Sequence, residues 1–207
     1  PPANAFLLSP APQECYPLEL FACQDCEHIQ LLDVLDPDEL FRHYVYQSGT
    51  SAAFREHFAS YARSMVQQYR LGPESFVLEI GSNDGVLLKA LKDIGVGKVL
   101  GVDPAEPIVL IARKAGIETL MDFFTGAVAE AIERSRGRAD LVLANNVFAH
   151  ADDLYGILLS ASKVLKPEGA FVFEVQYLPE VYEKGLFDNI YHEHLSYWHL
   201  RPLMALL

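Results

Sequence analysis

VLEIGSNDG, residues 77–85, runs from an apolar stretch ending in an acid into a turn with glycines at Gly81 and Gly85. Downstream the same alternation repeats. FVLEI is followed by helical periodicity from Asp84, KVLGV by a stretch from Ala105 to Ala115, and a short piece near ETL by Gly126 to Arg134. DLVLA precedes a helical stretch from Asp152 to Leu165, and AFVFEV follows a turn over Pro167 to Gly169. β-rich runs alternating with helices predict parallel strands joined by crossover helices, an α/β doubly wound sheet. The runs lack period-two alternation, as expected when helices cover both faces. Ligands of such sheets bind beyond the carboxyl ends of the strands, where strand order reverses. The loops to inspect are therefore GSNDG, DPAE, DFFTG, NNVFAH and QYLPEVY.

Upstream, Phe54, Phe58, Tyr61, Ala62, Met65, Val66 and Tyr69 recur at three and four residues, one apolar stripe of a helix ending before Gly72-Pro73. Residues 1–50 are rich in Pro and turn formers around CQDC and predict a small irregular domain. The partition is then a zinc-binding-type N-terminal domain over 1–50, a linking helix over 51–72, a cofactor-binding domain over 73–185, and over 186–207 the start of a substrate-binding or C-terminal segment. The chain opens on PPANAF without a methionine and stops at RPLMALL, which reads as part of a longer protein.

Composition sets the bounds. With 207 residues and 51% hydrophobic content, the chain can bury one sizeable core and a small appendage. Its formal net charge of −12 comes largely from residues 1–41, which hold eight acids and no Lys or Arg. Such a field repels phosphate backbones, so no nucleic-acid partner is expected. No apolar run reaches the roughly 18 residues of a membrane span, and an N-terminus without basic residues is not a secretory n-region, so the expected location is the cytoplasm. Three cysteines favour a metal or free thiols over a disulfide framework.

The dinucleotide fingerprint needs glycines at first, third and sixth places. Here those places hold Gly81, Asn83 and Val86, so a pyrophosphate does not fit. What stands instead is Glu79-x-Gly81-x-x-x-Gly85, an acid-lined turn suited to a positively charged ligand such as S-adenosylmethionine. Asp103, twenty-two residues beyond Gly81, ends the second strand where a carboxylate can accept both ribose hydroxyls. Asn145 and Asn146 follow the fourth strand. Asp122, Phe123 and Phe124 follow the third and either line the adenine or close the core. This is the arrangement of Rossmann-like class I methyltransferases.

LEIGSNDG, GVDPA, NNVFAH and above all FDNIYHEHLSYW resemble the deoxysugar C-methyltransferases that act on nucleotide-linked 4-keto sugars and carry an N-terminal zinc-binding domain. The resemblance runs from Ala3-Asn4 through Trp198. It implies a C-terminal Rossmann-like domain that this sequence lacks, and a structural zinc held by two C-x-x-C pairs. Cys23 and Cys26 match the second pair, which leaves the site incomplete here; Glu27 stands where the family usually has glycine. From the residues alone, Cys15 and His28 could complete a four-ligand set, or the thiols are simply free.

Carbon methylation needs a carbanion equivalent, which a neighbouring ketone permits: a base removes the α proton and an enolate forms. The protein must supply a base with pKa near neutrality and donors for the enolate oxygen. By resemblance His194 is that base, Glu193 orients it, Tyr191 donates near the ketone, and Tyr46 and His150 line the pocket. His192 belongs to the same cluster of acid, base and hydroxyl groups. His28, His43, His57 and His199 carry no such argument, and His57 is expected to be solvated on its helix. A methyltransferase acting on oxygen or nitrogen, or a non-catalytic binding fragment, are the alternatives. The sequence leaves the oligomeric state open.

Overall fold

The computed structural model describes residues 9–207. Ala3 and Asn4, where the resemblance begins, and the rest of the first eight residues lie outside the described residues.

The N-terminal region is less irregular than its composition predicts. β1 (Leu20–Ala22) and β2 (Ile29–Leu31) pair antiparallel around the CQDC turn, with Ala22 opposite Ile29. Glu27 takes a φ of 64°, so the knuckle keeps its left-handed residue without glycine. α1 (Pro37–Phe41) starts at Asp36, whose carboxylate accepts the Asp38 N–H, and α2 (Ala52–Tyr69) starts at Ser51 and ends on left-handed Arg70. The α2 stripe buries Phe58, Ala62 and Met65.

From there the predicted alternation follows: β3 (Phe76–Ile80), α3 (Val86–Asp93), β4 (Lys98–Asp103), α4 (Glu106–Lys114), β5 (Thr119–Met121), α5 (Gly126–Arg136), β6 (Ala139–Asn145), α6 (Leu154–Val164) and β7 (Leu165–Glu174). These five strands form a parallel sheet in the order β5-β4-β3-β6-β7. Strand order reverses between β3 and β6, which places the ligand crevice beyond Ile80 and Asn145. Val77, Leu141 and Leu143 pack into one apolar cluster with α2 and α3, whereas Leu78, Ile80 and Val142 pack into another with α5 and α6. Neighbouring residues thus point to opposite faces, and both faces are apolar, which is why the strand sequences show no alternation.

One expected turn is absent. Pro167 to Gly169 lie inside β7, where the register with β6 slips between Ala139 and Leu141, so the Pro-Gly signal marks a bulge in a strand rather than a break before one. After β7 come α7 (Leu178–Glu183), β8 (Ser196–Tyr197) and α8 (Leu200–Leu206). β8 returns to pair with β2, Gln30 opposite Ser196, and makes the N-terminal hairpin three-stranded. Among the described residues, no helix is long and apolar enough to cross a membrane.

Candidate active site

The glycine loop leaves β3 under tight constraint. Gly81 has a φ of 64°, and a Cβ there would lie 2.5 Å from Val147 Cγ2. Gly85, at φ 76°, starts α3 against Ile117, 3.1 Å from where its Cβ would sit. Asn83 between them is also left-handed, a conformation its short amide tolerates. The Asp103 carboxylate, at the end of β4, accepts the Asn83 N–H at 2.8 Å and the Ala105 N–H at 2.9 Å. Burial pushes its pKa up against those two bonds.

Glu79 is 3% exposed at the end of β3. Its Oε1 accepts from Asn145 Nδ2 at 3.4 Å, while Glu79 Oε2 and Asn145 Oδ1 are buried with no donor among the described residues. Burial, with Asp103 and Asp84 adding, raises the Glu79 pKa well above the usual carboxylate value. Two orphaned acceptors beside a backbone that tolerates no Cβ form a cradle for a ligand that donates hydrogen bonds or carries positive charge. The acidic turn predicted for S-adenosylmethionine therefore has the donor-seeking chemistry that this cofactor's ammonium group needs.

A cavity of about 1270 Å³ lies over these strand ends. Glu79, Gly81, Asn83, Asp103, Phe124, Asn145 and Asn146 line it. Asp122 and Phe123 line it too, whereas Phe124 both lines it and belongs to the core. Gly85 does not reach the cavity and acts from behind, through helix packing.

Tyr44, Tyr46, His150, Tyr191, Glu193 and His194 line the same cavity. His194 Nδ1 lies 2.8 Å from the Asn189 carbonyl, which can only accept, so Nδ1 carries the proton and Nε2 presents a lone pair. Tyr191 Oη stands 3.3 Å from that Nε2. Burial lowers the His194 pKa, which keeps the ring neutral at pH 7. The His150 ring lies 4.8 Å from it, with Nδ1 held by the Glu193 carbonyl at 2.8 Å; burial and the neighbouring imidazole push its pKa down to about 4. Burial, then the Glu193 carboxylate, raises the Tyr191 and Tyr44 hydroxyls above the ordinary phenol range, so both keep their protons as donors.

His192 goes elsewhere. It is not among the cavity residues, and its Nε2 meets the Tyr16 and Pro17 carbonyls at 3.2 and 3.0 Å, which ties the segment to the N-terminal region. His57 is not merely solvated: its Nε2 lies 2.8 Å from Glu174 Oε2, and its ring stacks on Tyr61. Sequence reasoning also missed Tyr44, which the Tyr-Val-Tyr spacing with Tyr46 could have revealed, and Gln176, whose Nε2 is buried without an acceptor at the cavity wall. A strap over residues 46–49 was missed as well. Ser48 N and Gly49 N donate to Asn83 Oδ1 and Asp84 Oδ2 at 2.9 and 2.8 Å, and Asn83 Nδ2 donates back to the Tyr46 carbonyl at 3.0 Å.

Cys23 and Cys26 stand on the knuckle between β1 and β2 as free thiols, and backbone N–H groups of Cys26 and Asp25 lower the Cys23 pKa. Cys15 is exposed, and His28 Nε2 is spent on Ser196 Oγ at 3.1 Å. No group of three or more His, Cys, Asp or Glu side chains among the described residues could hold a metal ion. The described residues therefore supply two cysteines and not a complete zinc site, and Cys15 and His28 do not complete it.

Comparison with known proteins agrees with this geometry. Residues 52–207 match the family described as a methyltransferase domain, and residues 1–41 match a zinc binding domain family. The chain is 36% identical over 191 residues to C-methyltransferase NovU of Streptomyces niveus, an overlap of 92% of this chain and 45% of that protein. It is 27% identical over 110 residues to the ubiquinone biosynthesis O-methyltransferase of Hydrogenovibrio crunogenus, 52% of this chain and 45% of that one. The chain thus spans about half the length of these curated relatives. A methyltransferase structure from Archaeoglobus fulgidus superposes with a TM-score of 0.61 at 19% identity, covering 73% of this chain and 66% of that one. The plantazolicin methyltransferase BpumL, solved with S-adenosylhomocysteine, superposes at 0.58 and 16%, covering 76% and 63%. With the loop, the strand order and the family match in agreement, the chain belongs to the S-adenosylmethionine-dependent methyltransferases.

Proposed function

We propose that the chain carries the catalytic half of an enzyme that methylates a carbon of a nucleotide-linked keto-deoxysugar through an enolate. The observation that carries this reading is His194, a buried neutral imidazole whose Nδ1–H is committed to a backbone carbonyl and whose Nε2 faces a phenol hydroxyl in the cavity. Removing a proton next to a ketone requires such a base. His194 Nε2 takes the proton next to the ketone, and the bonding pair moves onto the ketone oxygen. Tyr191, held protonated, donates to that oxygen. Glu193, 3% exposed, bonds the Tyr191 and Tyr44 hydroxyls rather than His194, which is oriented by the Asn189 carbonyl, so its part in this reading is to hold those donors in place. His150 stays neutral beside it and adds no competing cation. Tyr46 lines the same cavity from the strap. Glu79 and Asn145 would hold the ammonium end of S-adenosylmethionine, Asp103 its ribose, Phe124 its adenine, with Gly81, Asn83, Gly85 and Asn146 shaping the cradle. When bound, that cofactor supplies the electrophilic methyl group that the α carbon accepts. Cys23 and Cys26 are the chain's contribution to a structural zinc completed by residues outside those described.

The test uses the full natural chain that carries this sequence. Given a thymidine-diphosphate keto sugar and S-adenosylhomocysteine in deuterated water, the enzyme should exchange the α hydrogen although no methyl can move. His194→Ala should abolish that exchange and cut methylation by about 10² to 10⁴-fold while both ligands still bind. A product methylated on oxygen or nitrogen, with no exchange in the wild type, would overturn the reading.

A further inference from the structure

At the far end of β7, one buried polar group has no work to do within the protein. Gln176 lines the cavity, and its Nε2 is buried with no acceptor among the described residues. Leaving a buried amide donor unpaired costs about 1–3 kcal/mol, so such a donor persists where a ligand or an ordered water completes it. Three features separate Gln176 from a chance orphan. It stands directly after the strand end on the side of the order reversal where β6 delivers Asn145 and Asn146, and the Asn146 N–H donates to the Glu174 carbonyl at 2.7 Å. It precedes a clip to the catalytic segment, with Tyr177 bridged to Trp198 and Leu178 N donating to the Trp198 carbonyl at 2.7 Å. That segment is in turn fixed to β6's loop, since Leu195 N donates to the Ala149 carbonyl at 2.7 Å. Gln176 thus sits between backbone bonds at Glu174 and Leu178, and it borders both the cavity that holds His150 and His194 and a second pocket beside Trp198.

We infer that Gln176 is an acceptor-positioning residue whose side-chain amide binds an oxygen of the sugar, an inference that rests on the keto-sugar reading above. The chemistry fits the ligand class. A primary amide offers donors on nitrogen and lone pairs on oxygen, and a sugar hydroxyl both donates and accepts, so either end of the amide meets a partner. A cationic cofactor would instead seek acceptors, which Glu79 Oε2 and Asn145 Oδ1 provide. Gln176 holds the sugar ring in register while His194 acts; it moves no proton itself.

The experiment compares wild type, Gln176→Leu and Gln176→Glu in the full natural chain. For Gln176→Leu the acceptor KM should rise about tenfold, with kcat within about threefold and S-adenosylhomocysteine affinity unchanged, the pattern of lost uniform binding. Unchanged cofactor affinity certifies the fold of the variant. Gln176→Glu, which keeps an acceptor but adds charge, should recover part of the loss where the lost oxygen was a donating hydroxyl. Across a panel of acceptors each lacking one hydroxyl, the Gln176→Leu penalty should vanish for one analogue, which a purely structural glutamine would not produce. If the wild type exchanges the α hydrogen yet Gln176→Leu keeps the wild-type acceptor KM, this inference alone falls. If the wild type shows no exchange, both it and the keto-sugar reading fall.

Discussion

His150 is held neutral by its surroundings. It packs against the His194 ring and edge-on to Phe41, and its Nδ1–H is held by the Glu193 carbonyl. Its pKa of about 4 in the folded chain, against an ordinary value of ~6.5, means that the unfolded chain takes up the proton first as pH falls. The stability this histidine contributes is therefore complete above about pH 6.5 and lost progressively down to about pH 4, at most about 3 kcal/mol. Glu79 works with the opposite sign, because a raised carboxyl favours the folded state at low pH and opposes it as pH rises. The net pH curve mixes the two, and a difference between variants isolates one. Urea unfolding at pH 7 and pH 5 should show wild type losing more stability than His150→Gln on acidification; equal losses would mean that the ring is not held neutral. The same scale explains what sequence could and could not say of the site. Glu79 and Asp103 could be picked out as cavity residues because a carboxylate at a strand end has few structural uses, whereas His194 was picked out only by the resemblance of its segment. From spacing alone His192 was not separable from His194, and only the resemblance set them apart, since the turn around Tyr191 decides which of two nearby imidazoles faces the cavity.

The elements themselves were legible where burial is symmetrical and local. The five parallel strands are continuous apolar runs because helices cover both faces, and the α2 stripe follows the helical period. β8 was hidden because two residues, Ser196 and Tyr197, find their partner in Ile29 and Gln30 far up the chain, and no local pattern encodes that pairing. The Pro167 to Gly169 signal misled because a bulge and a turn use the same residues. The strap over residues 46–49 was invisible for a similar reason, since its own contribution to every bond is backbone, two N–H groups and one carbonyl that any sequence owns. It links the tyrosine-bearing N-terminal region to the cofactor loop through Asn83 and Asp84. Asn83→Ala removes two of its three hydrogen bonds and should cost about 1–3 kcal/mol of stability, while weakening S-adenosylhomocysteine binding and raising the acceptor KM together. A change confined to cofactor affinity would show that the strap does not hold Tyr44 and Tyr46 in place.

Across the whole molecule, the catalytic segment is a shared wall. Residues 191–198 are bound on one side to β6's loop through the Ala149 and Phe148 carbonyls, and on the other to the N-terminal hairpin through β2, Tyr16 and Pro17. The cofactor cradle uses none of the hairpin, whereas the base and its hydroxyl neighbours lean on it. A defect in the hairpin should therefore reach the chemistry and spare the cofactor. Leu31→Pro tests this directly: it deletes the N–H that donates to the Leu195 carbonyl at 2.9 Å, one residue from His194, and removes a side chain that is 3% exposed. In the full natural chain, turnover should fall at least tenfold while calorimetry finds S-adenosylhomocysteine bound with near wild-type affinity. Parallel loss of cofactor binding would mean that the hairpin and the parallel sheet stand or fall as one unit. Retained turnover would mean that β6's loop alone suffices to aim His194. The expected split follows from where the bonds lie: Gly81, Asp103 and Glu79 are fixed within the sheet, and His194 is fixed between the sheet and a hairpin that the chain reaches back some 160 residues to find.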